Sequence, residues 1–303
     1  MNPKNPFLTT LFSSILITFL PILTSTQTCQ NACGKIPIKY PFGTGPGCGD
    51  PRFQPYITCT SEQQLTLSTH TGCYTVISID YNNQVIYISD PTMSTCSCPR
   101  PSSGFSLNWD APFTFHDTTI FALLDCSTDS SPIYKGNNGS DSTSPVCDSQ
   151  GADICDLLYS CEAVSRLSPP TSTCCMYTPV DLGPSFEMDL EKLRCTSYSA
   201  VYDYNGQETD PEGWEYGIAL KYKFNYKNDY PALCSSCEKS NGVCGYDSGR
   251  YKSFVCNCPG GLNTTMDCFF GRPWSFGSRF FPWNIGIVSV FYLTWWFIIL
   301  AFM

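Results

Sequence analysis

The stretch CQNACGKIPIKYPFGTGPGCGDPRFQPYITC, residues 29–59, governs how the rest of the chain is read. It carries four cysteines, and from Tyr40 to Pro51 it is dense in glycine and proline. Glycine admits backbone angles closed to other residues and proline fixes its own, so this density marks tight, irregular backbone. Cys48 inside the glycine run points to pinning by a bridge. Just downstream, CYTVISIDY (73–81) and QVIYIS (84–89) flank Asn82-Asn83. Two β-rich runs across an Asn-Asn turn predict a hairpin. Simple alternation puts Tyr74, Val76 and Ser78 on one face and Thr75, Ile77 and Ile79 on the other.

Beyond residue 130 the character changes. Residues 131–150 are rich in Ser, Asn and Gly without periodicity and read as a linker. In ADICDLLYSCEAVSRL, residues Ile154, Leu157, Leu158, Cys161 and Val164 fall at helical spacing. In WEYGIALKYKF, residues Trp214, Tyr216, Ile218, Leu220, Tyr222 and Phe224 alternate strictly, which predicts one half-buried strand. The expected organisation is therefore a cysteine-rich unit at 27–130, the linker, a second unit at 151–230 and a small cysteine-rich module at 231–270. The fold class expected is mainly β and disulfide-rich, with α+β character in the middle unit.

The chain has 20 cysteines, all between Cys29 and Cys268. An even count confined to the middle of the chain fits a disulfide framework, which persists only in oxidising compartments. The N-terminus agrees with that compartment. Lys4, the apolar run Phe7–Leu23 and the small residues after it form a signal-peptide pattern over residues 1–26. At the other end, residues 280–303 contain no charge, enough apolar length for a single membrane-spanning helix. A cleaved glycolipid-anchor signal with attachment near Ser275–Gly277 fits the same residues. Either reading places the protein at the extracellular face of a plasma membrane. Sequons at Asn138 and Asn263 are candidate glycan acceptors.

The net charge of −9 argues against a nucleic-acid partner, whose phosphates it would repel. No enzymatic signature stands out. His70 and His116 lie in no catalytic motif, and no nucleophile elbow, zinc-protease motif or kinase loop is spelled out. Asp210 and Glu212 sit in a turn-rich stretch where solvated carboxylates are the simpler account. Gly43, Gly45 and Gly47 look superficially like a phosphate loop, but Pro46 interrupts them and no Lys-Ser/Thr pair follows. Cys234-x-x-Cys237 finds no second pair or histidine to complete a zinc site. The chain is expected to bind, not to catalyse, with no cofactor and no metal of its own.

Taken together, Cys33-Gly34, Ile36-Pro-Ile38-Lys-Tyr40-Pro-Phe42-Gly43 and Gly47-Cys48-Gly49 resemble the galacturonan-binding domain of plant wall-associated receptor kinases. Cys174-Cys175, Cys195-Thr-Ser-Tyr198 and Trp214-x-Tyr216-Gly217-Ile218 resemble the middle of the same extracellular regions. Cys234-x-x-Cys237, Asn241-Gly242-x-Cys244-Gly245-Tyr246 and Cys256-x-Cys258 resemble their C-terminal associated domain. This last spacing also resembles an EGF-like module, which implies pairs Cys234–Cys244, Cys237–Cys256 and Cys258–Cys268. Receptors of this family continue into a cytosolic kinase and this sequence stops at Met303, so the resemblance implies wall-polysaccharide binding without phosphoryl transfer. Its implied ligand is pectin or oligogalacturonide, with a receptor kinase as the class of signalling partner.

Between Gln27 and Thr60 the charges are Lys35, Lys39, Arg52 and Asp50, a local excess of +2. The candidate polysaccharide-binding residues are Lys35, Lys39, Tyr40, Arg52 and Tyr56, cations for carboxylates and rings for sugar faces. Phe42 reads as core beneath the glycine turns. Calcium bridging through Asp50 is chemically open, although nothing in the sequence fixes a calcium site. The alternative function is a protein-interaction ectodomain, a co-receptor or decoy for peptide or receptor partners.

Overall fold

The computed structural model describes residues 29–127, 129–131, 152–167, 174–177 and 188–269. The signal-peptide stretch 1–26, Asn138, nearly all of the linker and the apolar segment 280–303 lie outside them. Among the described residues no helix is long and apolar enough to cross a membrane.

The chain begins with a short hairpin, β1 (Ala32–Cys33) and β2 (Ile36–Pro37). Next come β3 (Ile57–Cys59), β4 (Leu65–Thr69), β5 (Gly72–Asp80), β6 (Val85–Ser89), β7 (Phe113–Phe115) and β8 (Ile120–Cys126). The expected hairpin is β5–β6. Its turn is held by Asp80, whose carboxylate accepts from the Asn83 N–H, the Asn83 amide and the Asn82 N–H. Those bonds hold the Asp80 carboxyl below its ordinary value. The faces differ from simple alternation. A bulge between Val76 and Ser78 inserts one residue, so Ile77 and Ser78 face outward and Ile79 turns in to pack on the core.

The stripe expected as one strand is two. Glu215–Tyr216 (β11) pairs with β10 (Cys195–Asp203), whereas Ile218–Tyr222 (β12) inserts between β6 and β7. The break falls at Gly217, with φ +154°, where an added Cβ would lie 2.6 Å from the Ile88 carbonyl oxygen. Only glycine lets the chain pass so close to β6 as it changes sheets. The result is an antiparallel six-stranded sheet in the order β3-β4-β5-β6-β12-β7. Segments 27–130 and 151–230, expected as separate units, therefore share one sheet.

A second, four-stranded sheet runs β11-β10-β8-β9, with β9 at Cys175–Tyr177. Its central strand β8 is apolar on both faces. Phe121 and Leu123 join the main aromatic core, together with Tyr198 and Ala200 of β10. Ala122 and Leu124 face the opposite way, against α1 (Ala152–Ser160) and α2 (Glu162–Ser165). The helical spacing predicted here is present, with Leu158, Cys161 and Val164 buried. The helix breaks at Cys161, whose backbone is extended where it bridges to Cys96. A short helix α3 (Leu190–Leu193) leads into β10, and Cys126–Cys195 staples β8 to β10 at register partners.

The last module is α4 (Ala232–Lys239) with a three-stranded sheet of β13 (Val243–Tyr246), β14 (Phe254–Asn257) and β15 (Asn263–Thr264). Its bridges are Cys234–Cys244, Cys237–Cys256 and Cys258–Cys268, the same pairs the EGF-like spacing implies. It is not a bead on a string. The N-terminal glycine turn docks on the edge of β13: the Gly49 N–H donates to the Cys244 carbonyl and the Tyr246 N–H to the Gly47 carbonyl. A Cβ on Gly245 would fall 2.0 Å from the Gly47 oxygen, so Gly245 must lack a side chain. Cys29–Cys48 pins the same turn, and Cys33–Cys59 ties β1 to β3. One expectation of full pairing fails. Cys73, exposed on β5, and Cys98 carry no bridge.

Candidate functional site

The five candidate residues end up in two different situations. Lys35 sits exposed in the β1–β2 turn. Lys39 is also exposed, with its Nζ 5.5 Å above the Tyr81 ring. Its backbone N–H donates to the Tyr81 hydroxyl, which donates onward to the Pro37 carbonyl. Both ammonium groups face solvent with no acidic partner among the described residues.

Arg52, Tyr40 and Tyr56 have their polar groups committed inside the fold. Asp50, buried at 7% exposure, accepts from the Arg52 N–H, from Arg52 Nε at 3.0 Å, from an Arg52 terminal nitrogen at 2.6 Å and from the Tyr40 hydroxyl at 3.0 Å. The same terminal nitrogen of Arg52 also donates to the Phe224 carbonyl. Asp50 is thus used up, which removes it as a calcium bridge. Tyr40 stacks on Phe224 at 6.1 Å and meets Tyr230 edge-on at 5.8 Å. Tyr230 donates in turn to Glu238 on α4. Tyr56 is only 6% exposed, donates to Asp110 and meets Phe113 edge-on, so no sugar can stack on it. The cation and ring that sequence reasoning gives to a ligand instead form a clasp joining the N-terminal turn, the 224–230 loop and the last module.

That clasp presents a surface the sequence reading missed. The loop after β12 runs Lys223-Phe224-Asn225-Tyr226-Lys227. Phe224 is buried, held by Tyr40 and by Arg52 on its carbonyl. Asn225 Oδ1 accepts from the Lys227 and Asp229 N–H groups and fixes the turn. Tyr226 is left 89% exposed, with Lys227 Nζ 5.6 Å over its ring. Lys223 is exposed as well. Lys221, Lys223 and Lys227, with no acidic residue between them, were the available signal, the first two hidden within an apparent strand. A second exposed aromatic, Trp109, stands beside Asn108, which is anchored to His70 at 2.9 Å.

In two clusters with metal-ligand composition, Cys256/Cys258/Cys268 and Cys234/Glu238/Cys244, every sulfur is bridged. A disulfide sulfur offers no thiolate, so neither cluster is a zinc site.

Tyrosines of the clasp and of both larger sheets carry a pH signature. Burial pushes the Tyr81, Tyr202 and Tyr216 phenols up to about 12, and it also raises Tyr40, Tyr222 and Tyr230. The unfolded phenol titrates near about 10. A folded value above the unfolded one favours the neutral form in the fold. That stability is whole below about pH 10 and is lost as pH rises toward the folded values. Chemical denaturation at stepped alkaline pH is expected to show stability flat to about pH 9 and falling steeply above about pH 10. Phenolate absorbance of the native protein should lag behind that of the denatured protein. Coincident titration curves would contradict the assignment.

The described residues form a disulfide-built β domain whose buried clasp leaves lysines and a tyrosine exposed beside it. In sequence the chain resembles the extracellular region of wall-associated receptor kinases. Residues 29–90 match the wall-associated receptor kinase galacturonan-binding family, and residues 183–261 match the wall-associated receptor kinase C-terminal family. Wall-associated receptor kinase-like 20 of Arabidopsis thaliana is 30% identical over 39% of this chain and 20% of its own length. Wall-associated receptor kinase-like 15 of the same plant is 27% identical over 46% of this chain and 22% of its own. Wall-associated receptor kinase 3, also of Arabidopsis, is 23% identical over 78% of this chain and 34% of its own. The chain thus spans a fifth to a third of the length of these relatives. No solved structure matches it.

Proposed function

We propose that this chain is a cell-surface, receptor-like binding protein for pectic polysaccharide, that it acts by binding and not by turnover, and that Lys35, Lys39, Lys223, Tyr226 and Lys227 form its contact surface. The observation that carries the reading is the match of residues 29–90 to a galacturonan-binding family, in a segment whose Lys35 and Lys39 are free and whose Tyr40 and Arg52 hold a second lysine-bearing loop alongside. Overall the protein is acidic, but contact range is short beside the screening length, so local cations outweigh the net charge. Lysine offers a point charge to each uronate carboxylate, and the open face of Tyr226 suits the apolar face of a pyranose ring. Signalling then passes to a partner, for which a receptor kinase at the same membrane is the fitting class.

Retention on immobilised polygalacturonate tests this. Wild type is expected to be retained at low salt and released as salt rises. Each Lys→Ala change at positions 35, 39, 223 and 227 should weaken retention roughly two- to fivefold, the range for solvent-exposed ion pairs. If wild type passes through unretained, with and without calcium, the reading is wrong.

A further inference from the structure

A cleft of about 550 Å³ opens where the N-terminal glycine turn meets the last module. Its walls include Gly47, Tyr246, Asp247, Asn257, Gly260 and Asn263. That volume lies within the range of about 300–1,000 Å³ typical of small-ligand pockets. The wall is polar over a buried Tyr246 ring: the carboxylate of Asp247, whose Oδ1 accepts from the Gly249 and Ser253 N–H groups, and the side-chain carbonyl of Asn257. Lys252 Nζ stands 5.9 Å over the Tyr246 ring. Glycine backbone beside a carboxylate and amides suits the polar edges of a sugar.

Asn263 is itself part of this wall and heads the sequon Asn263-Thr264-Thr265. It is exposed on β15, opposite Asn257 in register. Its neighbours have internal duties: the Asn257 amide donates to the Val243 carbonyl, and the Thr264 hydroxyl donates to the Asp267 carbonyl. The Asn263 carboxamide has no partner among the described residues, and Thr265 is exposed. Eight disulfides among the described residues place the folding of this chain in an oxidising, secretory compartment. That is where sequons meet a lipid-linked oligosaccharide donor.

We infer that Asn263 carries an N-linked glycan whose first N-acetylhexosamine residues lie in this cleft and close it to soluble ligands. Asn263 Nδ2 forms the bond to C1 of the donor sugar, one amide proton is lost, and the polyprenyl diphosphate departs. A sugar tethered at the rim meets the wall at high effective concentration, so a modest fit suffices to hold it there. The inference stands apart from the pectin reading, because the lysines proposed for that function do not line the cleft.

The test uses the full chain secreted from a eukaryotic cell. Peptide mass mapping should find hexosamine on Asn263. Amide hydrogen exchange is then followed at residues 46–48 and 243–263, before and after enzymatic removal of the glycan. Exchange at these segments should speed up on the order of threefold or more when the glycan is removed, with the six-stranded sheet unchanged. Thr265→Ala, which blocks attachment without altering Asn263, should reproduce the faster exchange and leave polygalacturonate retention as in wild type. If that variant fails to fold, the enzymatic comparison decides alone. An unmodified Asn263, or a modified one whose removal leaves exchange unaltered, overturns the inference.

Discussion

Phe42→Ala is expected to lower the free energy of unfolding by about 3–5 kcal/mol, measured by denaturant titration with disulfides intact. The ring is 2% exposed. It meets Tyr222 at 4.9 Å and Phe53 at 5.4 Å, both edge-on, and lies within 6.5 Å of Phe113 and Tyr81. Truncation removes the transfer energy of the ring and opens a cavity among four aromatics that cannot collapse around it, because Phe113 stands on β7, Tyr222 on β12, Tyr81 directly after β5 and Phe53 directly after the pinned glycine turn. Edge-to-face pairing adds about 0.5–1.5 kcal/mol per pair beyond area. Phe42→Leu, which keeps much of the volume, should cost markedly less. Lys39→Ala, three positions earlier and exposed, should stay within about 0.5 kcal/mol of wild type. A loss for Phe42→Ala as small as that for Lys39→Ala would show that the ring does not organise the core.

The contrast between Phe42 and its neighbours shows what the sequence could and could not say. Phe42 was legible because a large apolar side chain under a glycine turn has nowhere else to go. The hairpin was legible because period-two alternation and an Asn-Asn turn are both local. The bulge was not, since one extra residue at Ile77 leaves no local mark and yet reverses the faces beyond it. The stripe from Trp214 to Phe224 was wrongly read as continuous, because Gly217 falls between two members of the alternation and does not disturb the pattern, although it is itself buried against β6. Nor could local pattern place Ile218 against Ile88, a pairing that joins distant parts of the chain. Cysteine parity also misled: an even total coexists with bridgeless Cys73 and Cys98.

The site was half legible for a related reason. Composition shows that cations are present but not whether they are already spent. Lys35 and Lys39 are exposed, which the local charge excess alone does not say. Arg52 follows Asp50 by two positions, and the carboxylate bends back to take both the Arg52 backbone N–H and its guanidinium. Such a pairing within the candidate stretch was the warning that Arg52 serves the fold. Lys223 and Lys227 were overlooked because an alternating aromatic stripe is more often core than ligand surface. Phe224 is core, while Tyr226, two residues later, is not.

Asp50→Ala should be the most damaging single change outside the hydrophobic core. It leaves the Tyr40 hydroxyl, the Arg52 N–H and the guanidinium without their acceptor at once. Removing one partner of a buried pair costs about 3–5 kcal/mol. Arg52 is 47% exposed and recovers part of its hydration, so about 2–4 kcal/mol is expected here. The damage should also reach the proposed surface. With the acceptor gone, Arg52 no longer has its anchor for holding the Phe224 carbonyl, and Tyr40 loses the bond that orients it against Phe224 and Tyr230. Polygalacturonate retention should therefore fall together with stability, even though Asp50 is an acidic residue whose removal raises the local positive charge. That sign separates two accounts. If Arg52 were a ligand-facing cation masked by Asp50, Asp50→Ala would free it and retention would rise. A double-mutant cycle with Arg52→Ala completes the argument. Strong coupling in stability, with retention lowered in Asp50→Ala, is the outcome required of a clasp. Additive stability effects with improved retention would return Arg52 to the binding surface.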